Sequence, residues 1–324
     1  MIKCENRGRT VAKMKASDAL SGLENNGICV IGGDARQRFL AQILMEKGYK
    51  ISAYALMKNK ENTDNYCCSD TKVAEIPCFE TLKEALSGCR SVILPFPLSP
   101  DGITLNCAEE YKPSLKEVFR AISEVCGSGT KVYGGAIKER SREIAASFGI
   151  ETVDYGAFDE IALENAVPTA EAAAELAMQM LSVTVRGANF AVIGYGRCGS
   201  ELARLLKAMG GNVCAVARSG RDRARMRNDG VTPLDFHSLT EAVNGADISF
   251  NTVPFNVIDC DMLSRLTKGK VIVELASAPG GVDRECAAHY GIKVVHAPSL
   301  PGKYAPRTAA EIIARAVIPL LRLQ

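Results

Sequence analysis

The stretch from position 189 to 219, NFAVIGYGRCGSELARLLKAMGGNVCAVARS, constrains this chain more than any other. An apolar run at 190–193 reads as a buried parallel strand. Gly194, Gly196 and Gly199 follow at G-x-G-x-x-G spacing, and Leu202, Leu205, Leu206 and Met209 recur at helical intervals over 200–209. Gly210 and Gly211 stop that helix, and residues 212–217 read as the next strand. A glycine triplet alone is weak evidence. Set between a strand and a helix, with a second strand beyond, it predicts a dinucleotide-binding turn. The first glycine allows the tight turn, the second lets backbone approach a pyrophosphate, and the third lets helix and strand pack closely. Free N–H groups at the helix start then meet the phosphates. The expected contacts are Gly194, Tyr195, Gly196, Arg197, Cys198 and Gly199. The plain alternative is a glycine-rich turn with no ligand.

The end of the second strand chooses the dinucleotide. An acidic residue there would hydrogen-bond the ribose 2′-hydroxyl of NAD. This chain has Arg218, Ser219 and Arg221 instead. Guanidinium groups pair with a 2′-phosphate, which a carboxylate would repel. The reading therefore favours NADP over NAD. Its alternative is that Arg218 belongs to a solvated basic loop continued by Arg223, Arg225 and Arg227.

A length of 324 residues suggests two domains, and 47% hydrophobic content is ample for packed cores. A net charge of +2 gives no global basic footprint for nucleic acid. No apolar run approaches the ~18 residues of a membrane helix. Residues 1–26 are polar, without the apolar core of a secretory signal, and are expected to form a flexible extension of a cytoplasmic protein. The 12 cysteines include no C-x-x-C pair and often sit in apolar strands, as Cys29 and Cys214 do. That pattern predicts reduced thiols used as small hydrophobes, with no disulfide or zinc site. Cys67 and Cys68 are expected in a surface loop within 58–71. His237, His289 and His296 show no metal-ligand spacing.

Strands alternate with helices along the whole chain. In the first half strands are expected at 28–31, 50–55, 91–94, 131–133 and 150–154, with helices at 39–47, 81–87, 114–125 and 138–148. Ser114 and Glu117 have capping-box spacing. Gly32 and Gly33 follow the first strand without the full triplet, so no second dinucleotide site is expected there. In the second half further strands fall at 231–236, 247–253, 271–276 and 293–296. The fold class is α/β, with two doubly wound domains of mostly parallel sheet, the second a Rossmann fold. The expected boundaries are 27–165 for an N-terminal substrate-side domain, with 306–324 returning to it as a C-terminal helix. Residues 166–305 would form the cofactor domain with a leading interdomain helix. Pro168 disfavours helix before it, so Thr169 is a plausible N-cap and Glu171 suits the positive end of that helix. Ligands lie beyond the carboxyl ends of such strands. That places Asn251, Thr252, Val253, Pro254, Ala276, Ser277, Pro301 and Gly302 around one crevice.

Six segments together carry a resemblance: GGDARQ (32–37), VPTAE (167–171), VIGYGRCG (192–199), NTVP (251–254), ELASAPGGVD (274–283) and APSLPGKYAPRTAAEII (297–313). In this order the chain resembles the dipicolinate synthase A-subunit family of spore-forming bacteria, over about residues 27 to 322. The resemblance implies oxidation of a dihydrodipicolinate, drawn from the lysine pathway, to pyridine-2,6-dicarboxylate. NADP would be the acceptor, in the mother cell of a sporulating bacterium. It also implies a partner, the flavoprotein-like B-subunit of dipicolinate synthase; a homo-oligomer is expected besides, and neither nucleic acid nor membrane.

Two substrate carboxylates require a clamp of arginine, hydroxyl and N–H donors. Arg36 and Thr169 are the first candidates, with Ser277 and Ser299 from the other side; Lys303 and Arg307 also come from there but read as surface charges rather than clamps. Arg36 has an alternative as a structural partner of Asp34. For the proton acceptor His296, Glu171, Asp34 and water stay open, and a mid-strand histidine is more often a packed core residue. One rival is a D-2-hydroxyacid or amino-acid dehydrogenase, against which HAPSLPGK lacks the usual catalytic histidine after the proline. The other is a non-catalytic NADP(H)-binding regulatory protein.

Overall fold

A computed structural model describes residues 27–56, 75–107, 112–127 and 130–322. The expectations for the N-terminal extension and the 58–71 loop lie outside the described residues. The chain divides into two compact units, residues 1–158 with 313–324, and residues 159–312.

In the first unit β1 (Gly27–Ile31), α1 (Ala35–Glu46) and β2 (Ile51–Tyr54) form the opening βαβ unit. They are followed by β3 (Cys78–Phe79), α2 (Leu82–Leu86), β4 (Cys89–Ile93), α3 (Leu115–Cys126), β5 (Lys131–Gly134), α4 (Glu139–Ala146) and β6 (Thr152–Asp154). The strands pair in parallel in the order β3-β2-β1-β4-β5-β6. β1 is buried along its whole length, as expected of a central parallel strand covered on both faces. Phe119 and Ile122 of α3 pack with Ile31, Val92 and Val132 in the core. The capping box at α3 forms as its spacing predicts: Ser114 Oγ accepts from the Glu117 N–H at 3.2 Å, and Glu117 Oε2 accepts from the Ser114 N–H at 2.7 Å.

The second unit opens with α5 (Asp159–Glu164) and α6 (Ala166–Met180). The cofactor-type sheet follows: β7 (Asn189–Ile193), α7 (Arg197–Ala208), β8 (Asn212–Val216), α8 (Gly220–Asn228), β9 (Thr232–Leu234), α9 (Leu239–Gly245) and β10 (Ile248–Asn251). It is completed by α10 (Cys260–Ser264), β11 (Val271–Glu274), α11 (Arg284–His289), β12 (Lys293–His296) and α12 (Leu300–Tyr304). All pairings are parallel, in the order β12-β11-β10-β7-β8-β9. The chain reverses direction across the sheet at β7 and β10, which are neighbours. This is the switch point where open α/β sheets bind ligands. The last helix, α13 (Pro306–Arg322), begins in the second unit and ends in the first.

Two expectations and one alternative are corrected. Thr169 is not an N-cap. Asn165 is already helical, its N–H bonded to Ile161 O, so α5 runs into α6 with no exposed helix start at Thr169. Pro168 lies in the first turn of α6, where a missing N–H is tolerated, and the Thr169 hydroxyl donates back to Asn165 O at 2.6 Å. Arg223, Arg225 and Arg227 do not continue a loop but lie on α8, capped by Ser219. Finally, Cys260 and Cys286 form a disulfide between α10 and α11, where reduced thiols were expected. Cys29 and Cys89 are free and buried.

Candidate dinucleotide-binding site

The turn after β7 begins at Gly194, whose N–H donates to Val216 O at 2.9 Å and ties the turn to β8. Gly194 has φ +94°, a conformation L side chains rarely adopt. A Cβ there would also stand 2.9 Å from Val253 Cγ2. A Cβ on Gly199 would meet the Gly194 carbonyl and stand 3.0 Å from Thr252 Oγ1. Gly196 is different: its φ is −78° and nothing lies within 4 Å of where its Cβ would be. Two glycines are thus required by the protein's own packing. The third, at the N-cap of α7, is required by no contact among the described residues. It borders open space at a helix start that no side chain caps. That is the form a backbone cradle for a pyrophosphate must take, and the residues fit such a group.

Around the turn, the expected side chains divide into supporting and free. Thr252 Oγ1 donates to Ile193 O at 2.9 Å, so it buttresses the turn. Tyr195 is buried, and its hydroxyl donates to Asp229 Oδ2 at 2.7 Å while Arg225 lies over its ring at 5.8 Å. Burial, then that hydrogen bond, push its phenol well above the ordinary range, so it stays a neutral donor. Only its backbone can face a ligand at the turn. Arg197 pairs with Asp159, and burial raises the Cys198 thiol. Ser219 Oγ accepts from the N–H groups of Arg221 and Asp222 at 3.1 and 3.3 Å. Arg223 Nη1 donates to Ala217 O and Arg218 O, both at 2.8 Å, and so holds the strand-to-helix corner. The side chains of Arg218 and Arg221 are exposed and make no ion pair among the described residues. They are the groups left available beyond β8.

A residue the sequence reading passed over organises the other side. Glu274, 1% exposed, closes β11. It accepts from Asn251 Nδ2 at 2.8 Å, from the Ala276 N–H at 3.1 Å and from the Gly281 N–H at 2.9 Å. Asn251, itself buried, donates from Nδ2 to Val253 O at 3.0 Å and accepts the Val253 N–H at 3.1 Å. This network fixes both loops beyond β10 and β11, leaving Pro254 and Ser277 exposed. The signal for it was a lone acid inside the apolar run VIVELA. Pro301 and Gly302 lie on α12, and Ser299 precedes it with φ +58°. His296 is exposed at the carboxyl end of β12, not packed in mid-strand. Partial burial and then Arg284 lower its pKa, with Lys303 adding to this and Glu274 opposing it. Glu171 is exposed on α6. A cavity of about 450 Å³ lined by Asn189, Lys207, Asn212 and Thr232 lies at the amino ends of the strands, away from the turn. Open α/β sheets bind their ligands at the carboxyl ends, so the turn takes precedence over this cavity.

In the first unit Arg36 is 5% exposed and committed locally. Its Nε bonds both Asp34 oxygens at 3.0 and 3.1 Å, and its Nη2 bonds Asp34 Oδ2 at 2.7 Å and also Phe96 O. The structural pairing with Asp34 is what the geometry shows. The Gly33 N–H donates to Asn106 O at 2.7 Å, and Gln37 folds into the space a Gly33 side chain would need. This second glycine turn is therefore filled by the chain itself.

Fold and turn together define a dehydrogenase-type protein with a Rossmann unit for a nicotinamide dinucleotide. Residues 164–285 match the NAD-binding domain of D-isomer-specific 2-hydroxyacid dehydrogenases, and residues 27–156 match the N-terminal domain of the dipicolinate synthase A-subunit. The chain is 33% identical to the dipicolinate synthase A-subunit of Bacillus subtilis (strain 168) over 305 residues, 93% of this chain and 97% of that protein. It belongs to the dipicolinate synthase A-subunit family. The crystal structure of the dipicolinate synthase A-subunit from Bacillus halodurans superposes with a TM-score of 0.79 at 27% identity, covering 92% of this chain and 98% of that one. The apo-structure of D-lactate dehydrogenase from Escherichia coli, at 14% identity and a TM-score of 0.56 over 92% and 96% of the two chains, shares the fold. Among the described residues no helix is long and apolar enough to cross a membrane, and no cluster of metal-ligating side chains occurs.

Proposed function

We propose that this protein oxidises a dihydrodipicolinate to pyridine-2,6-dicarboxylate with NADP, acting with a second, flavoprotein-like subunit in the mother cell of a sporulating bacterium. The observation that carries the reading is the open position at Gly196 between two glycines closed by packing. The backbone of Gly194, Gly196 and the first turn of α7 would hold the pyrophosphate. Arg218 and Arg221 would hold the 2′-phosphate. Asn251, Thr252, Val253, Pro254, Ala276 and Ser277 would border the reactive ring, with Asn251 and Glu274 keeping that rim in place. When bound, the nicotinamide accepts a hydride. The substrate's dihydropyridine ring would give up that hydride and one proton and become aromatic, which supplies driving force, so the chain's task is orientation and exclusion of water. In this reading the first unit is the substrate-side domain. Arg36 shapes that side through Asp34 and Phe96, while Glu171, His296 or water takes the proton.

The test follows absorbance at the NADPH band after adding enzymatically made dihydrodipicolinate and NADP, with and without the second subunit. Substrate-dependent NADPH formation is expected in the complex. Tight NADPH binding with no turnover in the complex would turn the reading toward a redox-sensing protein.

A further inference from the structure

Gln37 is 1% exposed, yet among the described residues neither Oε1 nor Nε2 of its amide has a hydrogen-bond partner. Buried polar side chains are otherwise almost always paired, and each exception needs a physical account. Local backbone does not supply one. The Arg36 N–H goes to Asp34 Oδ1 at 3.0 Å, the Gln37 N–H to Asp34 O at 3.0 Å, and the Gly33 N–H to Asn106 O. The side chain bends back over the turn after β1, with Cδ 3.3 Å from where a Gly33 Cβ would stand. Gln37 itself stands in the first turn of the twelve-residue helix α1, just beyond the carboxyl end of β1. Asp34 and Arg36 neutralise each other there, and the helix dipole favours an anion.

We propose that Gln37 is a ligand-reading residue. Its Nε2 donates to a carboxylate of a small acid, and its Oε1 accepts from an N–H or O–H that the same acid carries beside that carboxylate. An apolar residue would serve packing better at this position, so the unpaired amide is explained by a partner that arrives in solution. The choice of ring dicarboxylates as probes rests on the proposed function; the site itself does not. For such acids the geometry has a direct consequence. A ring reduced at nitrogen carries an N–H between its two carboxylates, and the aromatic ring carries none. Oε1 is satisfied by the first and left unpaired by the second, so the site prefers what is to be oxidised over what has been.

The experiment titrates the full chain with piperidine-2,6-dicarboxylate, which has a ring N–H, and with pyridine-2,6-dicarboxylate, which has none. Wild type is compared with Gln37→Met and Gln37→Leu, both helix formers of similar bulk. The ratio of the two affinities is read within each protein, so charge differences between probes cancel between variants. Wild type is expected to favour the N–H-bearing ring by at least about tenfold over the ratio in the variants, the scale of one well-made hydrogen bond to a buried group. Thermal stability of the variants is expected to equal or exceed wild type, since an unpaired amide is removed. Equal ratios in all three proteins would overturn the proposal and leave Gln37 as a buried amide served by internal water. So would failure of wild type to bind either acid. NADPH formation plays no part in the titration, so a failed turnover assay and a failed Gln37 assignment are told apart.

Discussion

Alanine at Gly196 and alanine at Gly199 should have opposite effects, and the contrast tests the core of the site. At Gly196 the backbone angle is open to any residue and the added methyl meets nothing within 4 Å. The substitution lowers unfolded-chain entropy and should stabilise by about 0.4–1 kcal/mol. For a unit of this size that is roughly 1–4 °C in melting temperature. The same methyl stands where a phosphate must approach the α7 N–H groups. Losing one hydrogen bond to a charged group costs about 1.5–3 kcal/mol, or about 10- to 150-fold in NADPH affinity. At Gly199 the methyl collides with the Gly194 carbonyl and crowds Thr252 Oγ1 at 3.0 Å. Overpacking of this kind costs about 1–3 kcal/mol and should lower the melting temperature before any ligand is added. Thermal scans of the free chain and NADPH fluorescence titrations supply both numbers. If Gly196→Ala binds NADPH as wild type does, the phosphates do not lie on this turn. If it melts as far below wild type as Gly199→Ala, the space at Gly196 is not open.

Arg218→Asp should weaken NADPH binding at least about tenfold while leaving NADH within about threefold, because the substitution exchanges a phosphate partner for a repelling charge; equal changes for both cofactors would mean that Arg218 does not meet the 2′-phosphate. Glu274→Ala leaves one N–H of the Asn251 amide and the backbone N–H groups of Ala276 and Gly281 without their acceptor. At about 1–3 kcal/mol per buried unpaired group, urea unfolding should show a loss of about 3 kcal/mol or more, and a loss below about 1 kcal/mol would refute the network. His296 has a lowered folded-state pKa, so the unfolded chain binds the extra proton first as pH falls. Stability should therefore decline as pH drops below about 6.5, the unperturbed value. His296→Asn should flatten the melting temperature as pH falls below about 6.5, and an unchanged slope would exclude this histidine.

The glycine turn was legible because each of its requirements is local: a buried strand, a spacing of three glycines and an amphipathic helix. Helix α8 was not, because Arg221, Arg223, Arg225 and Arg227 hide any apolar period and only Met226 is buried. The signal was Ser219, a good N-cap three positions before Asp222. At Thr169 the proline was given too much weight; a first-turn proline does not end a helix that a preceding helix feeds. Arg36 drew attention as a charge beside a glycine turn. Its pairing with Asp34 was legible as the local alternative, but its bond to Phe96 O depends on a loop about sixty positions away, and no local pattern carries that. The same holds for Cys260 and Cys286, which are 26 residues apart and brought together only by the placement of α10 and α11.

That disulfide has a mechanical consequence. Near it, Val257 and Ile258 donate to Gly281 O, Asp283 donates to Ile258 O, and Ile258 and Val282 form a bridge. The segments leaving β10 and β11 are stitched covalently at their far ends and cross-laced in between, while Asn251 and Glu274 rivet them where they leave the sheet. They behave as one stiff flap, so a spectroscopic label at Phe255 and one at Ser277 would move in step or stay still together.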